Sequence, residues 1–319
     1  MSHNIFGFET LQHLARLIKE KKLDAKIELI VCRKTKERLC DQTLDFIEFA
    51  KKEKIGLVQT DNIKEDQVVM EKIEQIKPDF LFVFGWSQLI PENILKGVKE
   101  LAIGSHPTLL PKYRGNAAIP WQILLGEKES GATLFEIRSD VGVDAGGILA
   151  QKRYLLDARE TSTTLYKKFT ENVKKILDES LKCIINGKIK PKPQQSPPSY
   201  LGKRRPSDSR INWELSSEEV DRLIRAQSFP YPVAYSYLKK GETYEKIGIL
   251  DSELGKEQVI GVPGSILIGK GRAIVACGKG TIEIRNIRVE NNSMDASKYL
   301  NGIGRFDIEM NDVLFEAVR

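Results

Sequence analysis

Two hydrophobic rhythms alternate through the first 190 residues. Apolar positions at helical spacing predict helices over 8–21, 43–55, 68–77, 117–126 and 161–187. Between them lie short runs read as strands: "KIELIVC" (26–32), "GLVQT" (56–60), "PDFLFVFGW" (78–86), "LAIGSH" (101–106) and "ATLFEIR" (132–138). The run 78–86 is almost continuously apolar, as a strand covered on both faces must be. Gly126 closes one helix, and "TSTT" supplies capping residues to the long one. Strands alternating with helices predict an α/β domain with a doubly wound, mostly parallel, Rossmann-like sheet.

The opening of the chain breaks this rhythm. A doubly wound sheet normally starts with an apolar central strand, whereas this sequence starts "MSHNIFGFETLQHL" and passes almost at once into a helix. "HNIFGFE" reads as the loop that would follow such a strand. The strand itself is not visible, and a start assigned too late would account for that.

Beyond 188 the texture changes. "GKIKPKPQQSPPSYLGKRRPSDSR" is rich in proline and charge and reads as a linker, assigned to 191–210. One helix (216–227) and several short strands with glycine turns follow, which predicts a small, OB-like C-terminal β-barrel over 211–319, after a first domain over 1–190.

Composition adjusts this picture only slightly. Of 319 residues 41% are hydrophobic, enough for a real core; the net charge is +6, with basic residues spread along the chain. Nucleic acid is therefore not demanded. Cys32, Cys40, Cys183 and Cys277 form no CxxC pair, which argues against a zinc site or disulfide framework and for a reduced cytoplasmic setting. No apolar run reaches about 18 residues and no signal peptide is visible, so no membrane partner is expected.

Candidate chemistry gathers after two strands. His106, one of three histidines, ends a buried strand, and in open α/β sheets ligands bind at such ends. A histidine there can shuttle protons, or it can be a hydrogen-bonded structural residue. The loop "PTLLPKYRGNAAIPW" that follows is stiffened by prolines. Arg114, Gly115 and Asn116 stand just before a helix start, where an anion or carbonyl oxygen is well received. The turn "RSDVGVDAGGIL" brings Asp140 and Asp144 with glycines that permit close backbone approach. It reads either as a plain Asp-Gly turn or as the place where a carboxylate orients a histidine.

Taken in order, "SHPTLLPKYRG", a helix, a strand and "DVGVDAGGILAQ" resemble the folate-dependent formyltransferases, over roughly residues 5–290. That family's pattern is Asn-x-His-x-Ser-Leu-Leu-Pro followed by an Asp-x-Gly turn; His106 matches its histidine and Asp144 its aspartate. The resemblance implies 10-formyltetrahydrofolate as cosubstrate, no metal, attack of an acceptor amine on the formyl carbon, oxyanion stabilisation by histidine and asparagine, and proton transfers organised by the aspartate. It also implies pterin contacts from Gln88, Leu89 and Ile90 in "GWSQLIP", with backbone contacts from Asp140, Val141 and Gly142; Trp86 lines that site or simply packs. The family asparagine falls at Gly104, with Ser105, Asn116 or a water as the expected substitutes for its missing donor. The His106-to-Asp144 spacing is two residues longer than the pattern, an expected bulge in "EIRSD".

"YLGKRRPSDSRINWELSSEEVDRLIRAQSFPYPVAYSYL" (200–238) resembles the equivalent region of UDP-4-amino-4-deoxy-L-arabinose formyltransferases. This implies a nucleotide-linked amino sugar as acceptor, with Arg204 of the cluster Lys203-Arg204-Arg205 available to hold a diphosphate. Methionyl-tRNA formyltransferase is the alternative, with tRNA a less favoured partner. Formyltetrahydrofolate hydrolysis and a non-catalytic folate or nucleotide module are the others. A homodimer is compatible with all of these.

Overall fold

The computed structural model describes residues 1–34, 42–240, 242–290 and 292–307. Cys40 lies outside them. The chain forms two compact units. The first comprises residues 1–118, 128–157 and 164–202; the second comprises 119–127, 158–163 and 203 onwards.

In the first unit the order is α1 (Ile5–Glu20), β1 (Leu29–Cys32), α2 (Thr43–Glu53), β2 (Gly56–Gln59), α3 (Gln67–Ile76), β3 (Phe80–Val83), α4 (Glu92–Lys96), β4 (Leu101–His106), β5 (Arg114–Gly115), α5 (Ala118–Leu124), β6 (Glu129–Glu136), β7 (Ile148–Leu155), α6 (Ser162–Ile185) and β8 (Tyr200–Leu201). Helix α5 passes into the second unit, and α6 begins there.

Helix α1 starts earlier than its periodicity suggests. The Asn4 side chain accepts a bond from the Gly7 amide at 3.0 Å, so "HNIFGFE" is a capped first turn rather than a loop. Asp66 caps α3 in the same way through Val69. Helices lie on both faces of the sheet. On one, Phe6 of α1 meets Phe169 of α6 at 4.6 Å, and Lys174 pairs with Glu9. On the other, Val69 and Ile73 of α3 pack with Val31, Leu81 and Val83.

The pairing is mixed rather than mostly parallel. β1–β2 and β3–β4 are parallel, but β4–β6 and β6–β7 are antiparallel. The sequence reading missed β7 because "ILAQKRYL" is covered on one face only and its charged positions disguise the alternation. The main sheet runs β3-β4-β6-β7, and β1-β2 stands as a separate pair. Between β1 and β3 sit residues 1–3: Ser2 N–H donates to Val31 O (3.0 Å), the Met1 amine to Phe82 O (2.5 Å), and Phe84 N–H to Met1 O (3.0 Å). Residues 1–3 thus bridge β1 and β3 through backbone hydrogen bonds.

The proline-rich stretch is anchored up to residue 202. Ile148 and Lys192 exchange backbone bonds, and β8 pairs in parallel with β5.

The second unit holds α7 (Ser217–Ala226), β9 (Ala234–Lys240), β10 (Thr243–Leu254), β11 (Ile266–Gly269), β12 (Arg272–Ala276), β13 (Thr281–Val289), β14 (Asn292–Asp295) and α8 (Ala296–Tyr299). A Ser216/Glu219 capping box starts α7. The antiparallel sheet runs β11-β12-β13-β10-β9 with β14 on β13. Among the described residues this is a mostly antiparallel β domain, and the 304–307 segment bonds to both ends of the strand order: Asp307 N–H to Tyr237 O of β9 (2.8 Å) and Ile266 N–H of β11 to Gly304 O (2.8 Å). Its core centres on Trp213, stacked on Phe306 at 5.1 Å, with the indole N–H donated to Ser236 Oγ at 2.9 Å. No described helix is long and apolar enough to cross a membrane.

Candidate active site

Strand β4 is central, so its last residue is delivered to the sheet's edge with a buried ring. His106 is 5% exposed. Its Nε2 lies 2.7 Å from Tyr113 O, and a carbonyl can only accept, so Nε2 carries a proton. The other nitrogen, Nδ1, faces Asp144 Oδ2 at 3.4 Å. A lone pair opposite a carboxylate is unfavourable unless a proton lies between them. Nδ1 is thus the ring atom turned to the carboxylate.

Asp144 is held by two hydrogen bonds. Its Oδ2 accepts the Gly115 amide at 2.8 Å, and its own carbonyl accepts from Gln194 Nε2 at 2.8 Å. Its φ is +53°, in the left-handed region that Asn and Asp tolerate better than other side chains. Gly115, with φ +104°, is required in a stricter sense, because a Cβ there would stand 2.9 Å from Leu201 O.

Arg114 is buried and committed. Its Nε and Nη2 donate to Gln194 Oε1 at 3.1 and 2.6 Å, and Nη1 donates to Tyr200 Oη at 3.1 Å. Gln194 also donates to Gly146 O. One glutamine thus clamps the Asp144 turn to the Arg114 loop. Sequence reasoning missed Gln194 and Tyr200 because "PKPQQSPPSY" has a linker's composition. The Tyr113 carbonyl was equally invisible, since a main-chain acceptor leaves no residue-type signal.

Phe135 and Ile137 stand beside Gly104. A Cβ on Gly104 would meet Phe135 Cε1 at 2.9 Å, Phe135 Cζ at 3.0 Å and Ile137 Cδ1 at 3.1 Å. Gly104 and Phe135 are cross-strand partners, so the ring covers the position from which an asparagine would project. Ser105 is adjacent on β4, and in a strand successive side chains point to opposite faces, so its hydroxyl cannot reach the ground above Gly104. That hydroxyl is buried without a partner. Asn116 is exposed.

The residues expected around a pterin have varied surroundings. Gln88 spends its amide on the 61–63 loop, accepting from Ile63 N (3.0 Å) and donating to Asp61 O (2.7 Å). Leu89 is 63% exposed, while Ile90 packs with the β3 core. Trp86 packs edge-on to His3 at 5.8 Å, and its buried indole N–H has no partner. Asp140 pairs with Arg138, which holds its carboxyl below the usual carboxylate range. Val141 is exposed and Gly142 has open surroundings. The close approach that a glycine serves in this turn is at Gly146, where a Cβ would stand 1.8 Å from Glu136 O.

In the second unit, Arg204 lies over the Trp121 ring at 5.3 Å and donates from Nη2 to Asp208 O at 2.7 Å. The next residues form a short 3₁₀ turn, Pro206–Ser209, closed by the Arg205 amide donating to Asp208 Oδ2 at 2.6 Å.

Comparison with known proteins agrees with the resemblance at the level of family. Residues 5–181 match the Formyl transferase family model and residues 203–304 that of the Formyl transferase C-terminal domain. A methionyl-tRNA formyltransferase of Thermodesulfovibrio yellowstonii is 32% identical over 249 residues, 78% of each chain. Among solved structures, the sugar 3N-formyl transferase WlaRD, crystallised with dTDP and 5-N-formyl-THF, superposes with a TM-score of 0.63 at 22% identity, covering 91% of this chain and 96% of that one. An N-formyltransferase from Helicobacter canadensis, in complex with folinic acid and dTDP-3-aminofucose, gives 0.61 at 20%, covering 89% and 96%. At these identities the solved structures speak for the fold. The sequence relative carries a tRNA enzyme's name, whereas the sequence reading set the second domain beside the amino-arabinose branch.

Proposed function

Because the chain belongs to the formyl transferase family and is a folate-dependent formyltransferase, we propose that it moves the formyl group of 10-formyltetrahydrofolate onto the amine of a nucleotide-activated amino sugar. The observation that carries the acceptor assignment is the ordered basic turn after residue 202. "KRRPSDSRINW" is no solvated linker: Arg204 is stacked on Trp121, and the Arg205–Asp208 bond fixes the turn. A guanidinium held in this way is prepared for a diphosphate's oxygens. The dTDP-sugar complex of the Helicobacter canadensis relative supports the same acceptor class.

In this reading, the sugar amine attacks the formyl carbon, a C–N bond forms, and the carbonyl oxygen becomes an oxyanion. The His106–Asp144 pair takes the proton the amine loses, and His106 turns its Nε2–H from Tyr113 O to the oxyanion. Collapse of the intermediate breaks the bond to N10 of the folate, which receives a proton and leaves as tetrahydrofolate. The folate sits against the 86–90 and 139–144 segments, where the free Trp86 N–H offers a donor to a polar heterocycle.

The test is a panel of UDP-, dTDP- and GDP-amino sugars with 10-formyltetrahydrofolate, products weighed by mass spectrometry, on the parent and on Arg204→Ala. One formyl mass on a sugar, with KM for it about tenfold higher in the variant, is the expected result. A formyl mass on methionyl-tRNA alone would establish the second reading, which the 32% identical relative favours. His106→Ala must abolish transfer; near-normal turnover would overturn the assignment of the site.

A further inference from the structure

The register of the main sheet sets His106, Thr133 and Gln151 in one row across β4, β6 and β7. Residues paired across strands share a face, so the three side chains stand on the same side of the sheet. The loop that leaves β4 folds back over this row. Thr108 and Leu110 are buried there. A buried loop must find partners for its backbone polar groups, and this row supplies them. The Thr133 hydroxyl donates to Thr108 O at 2.6 Å. It accepts from the Leu110 N–H at 3.3 Å and from Gln151 Nε2 at 2.9 Å. Gln151 Nε2 also donates to Leu110 O at 2.8 Å. A hydroxyl has one proton and two lone pairs, so Thr133 is fully used. Its branched Cβ restricts χ1 and so fixes the direction of these bonds.

The path from this hydroxyl to the reacting ring is short. Thr108 Oγ1 donates to Lys112 O at 2.6 Å. The next residue is Tyr113, whose carbonyl receives the His106 Nε2–H at 2.7 Å. Tyr113 has φ +63°, a left-handed conformation that a bulky side chain avoids. Its carbonyl keeps that direction only while the surroundings impose it. From the far side, the Tyr113 amide donates to Ser199 Oγ at 2.9 Å.

We propose that Thr133 is a positioning residue for His106, acting through the 108–112 loop on the Tyr113 carbonyl. That carbonyl keeps the proton on Nε2 and so leaves Nδ1 turned to Asp144 until substrate arrives. The inference rests on the role given to His106 above. Thr133 itself touches no reacting atom, and Gln151 is its second tie to the loop. Valine would fill the same place in β6 and make none of these bonds.

The experiment uses the full chain with isotope-labelled histidine rings. Three histidines give few signals to assign. Nuclear magnetic resonance reads the tautomer of His106 and the water exchange of its Nε2–H in the parent, Thr133→Val, Thr133→Ser and Val173→Ala. Val173 is fully buried on α6, so its truncation is a control for general loosening. Thr133→Val should speed exchange of the Nε2–H about tenfold and mix the tautomers, while Thr133→Ser and Val173→Ala stay with the parent. In formyl transfer to whichever amine the acceptor panel identifies, Thr133→Val should lose about tenfold in kcat with KM unchanged, and Thr133→Ser should recover it. Unchanged exchange in a folded Thr133→Val would overturn the proposal, as would an equal change in Val173→Ala. If Thr133→Val does not fold, Gln151→Leu is read instead: faster Nε2–H exchange supports the role and parent-like exchange overturns it. The resonance measurement needs no acceptor, so silence of the whole sugar panel would count against the acceptor assignment while this test still decides.

Discussion

Restoring an asparagine at position 104 is the most informative perturbation of the active site. Its Cβ would arrive 2.9 and 3.0 Å from two Phe135 ring carbons and 3.1 Å from Ile137 Cδ1. Carbon atoms pack best near ~3.5–4.0 Å, so the ring must retreat by about half an ångström in a close-packed strand pair. Overpacking of this kind costs about 1–3 kcal/mol, a Tm loss of about 2–4 °C per kcal/mol in a unit of this size. The amide beyond that Cβ would also meet the ring. Gly104→Asn alone should therefore be destabilised and gain no rate, although an oxyanion donor is ordinarily worth about 100-fold or more. Phe135→Ala alone should lose about 3–5 kcal/mol through its cavity. In the double variant the asparagine occupies the vacated ground, and the coupling energy should be favourable by about 0.5–3 kcal/mol. Its transfer rate should exceed that of Phe135→Ala. The assays are thermal unfolding of all four proteins and single-turnover formyl transfer by mass spectrometry. A single Gly104→Asn variant as stable as the parent and faster would refute the reasoning, as would strict additivity of the two changes.

Three further outcomes follow from the same geometry. Asp144→Asn keeps a side chain suited to φ +53° and an oxygen for the Gly115 amide. Folding should survive while transfer falls about 10²–10⁴-fold, and full activity would show that the carboxylate charge is not used. Gln194→Ala removes donors to Asp144 O and Gly146 O and the acceptor for Arg114; stability should fall by about 1–3 kcal/mol, with a lower kcat. Unchanged thermal unfolding and kcat would remove Gln194 from the positioning network. The Met1 amine has a folded-state pKa of about 5 against 8.0 when free, so between those values the unfolded chain holds more protons. Stability should therefore rise with pH from 5 to 8, by up to ~1.4 kcal/mol per unit, and denaturant melts of an N-acetylated chain should show a flatter profile.

The parts of the site that are legible in the sequence are those whose chemistry is local. His106 at a strand end and Asp144 in a glycine turn announce themselves by residue type and position, and the structure brings them to 3.4 Å. What is hidden depends on partners distant in sequence. Phe135 reads as one apolar position of an alternating strand; only the β4–β6 register places its ring over Gly104. Gln194 reads as linker because its role comes from the Ile148–Lys192 and Arg114–Tyr200 pairings. The fold divides in the same way. Helix periodicity located α1, α2, α3 and α6, but the antiparallel direction of β6 and β7 is a property of pairing.

The β5–β8 pairing bears on how this protein can be taken apart. A catalytic fragment cut at residue 190, where the long helix is over, would discard Gln194 and Tyr200 and leave Arg114 without its side-chain partners. The Arg114–Gly115 edge would lose its strand, and with it the amide that steadies Asp144. The first unit's last segment runs to Gly202, so a cut after it would keep Gln194, Tyr200 and the β5–β8 pair together. Residues 192–201 are thus part of the first unit's hydrogen-bonded framework rather than spacer.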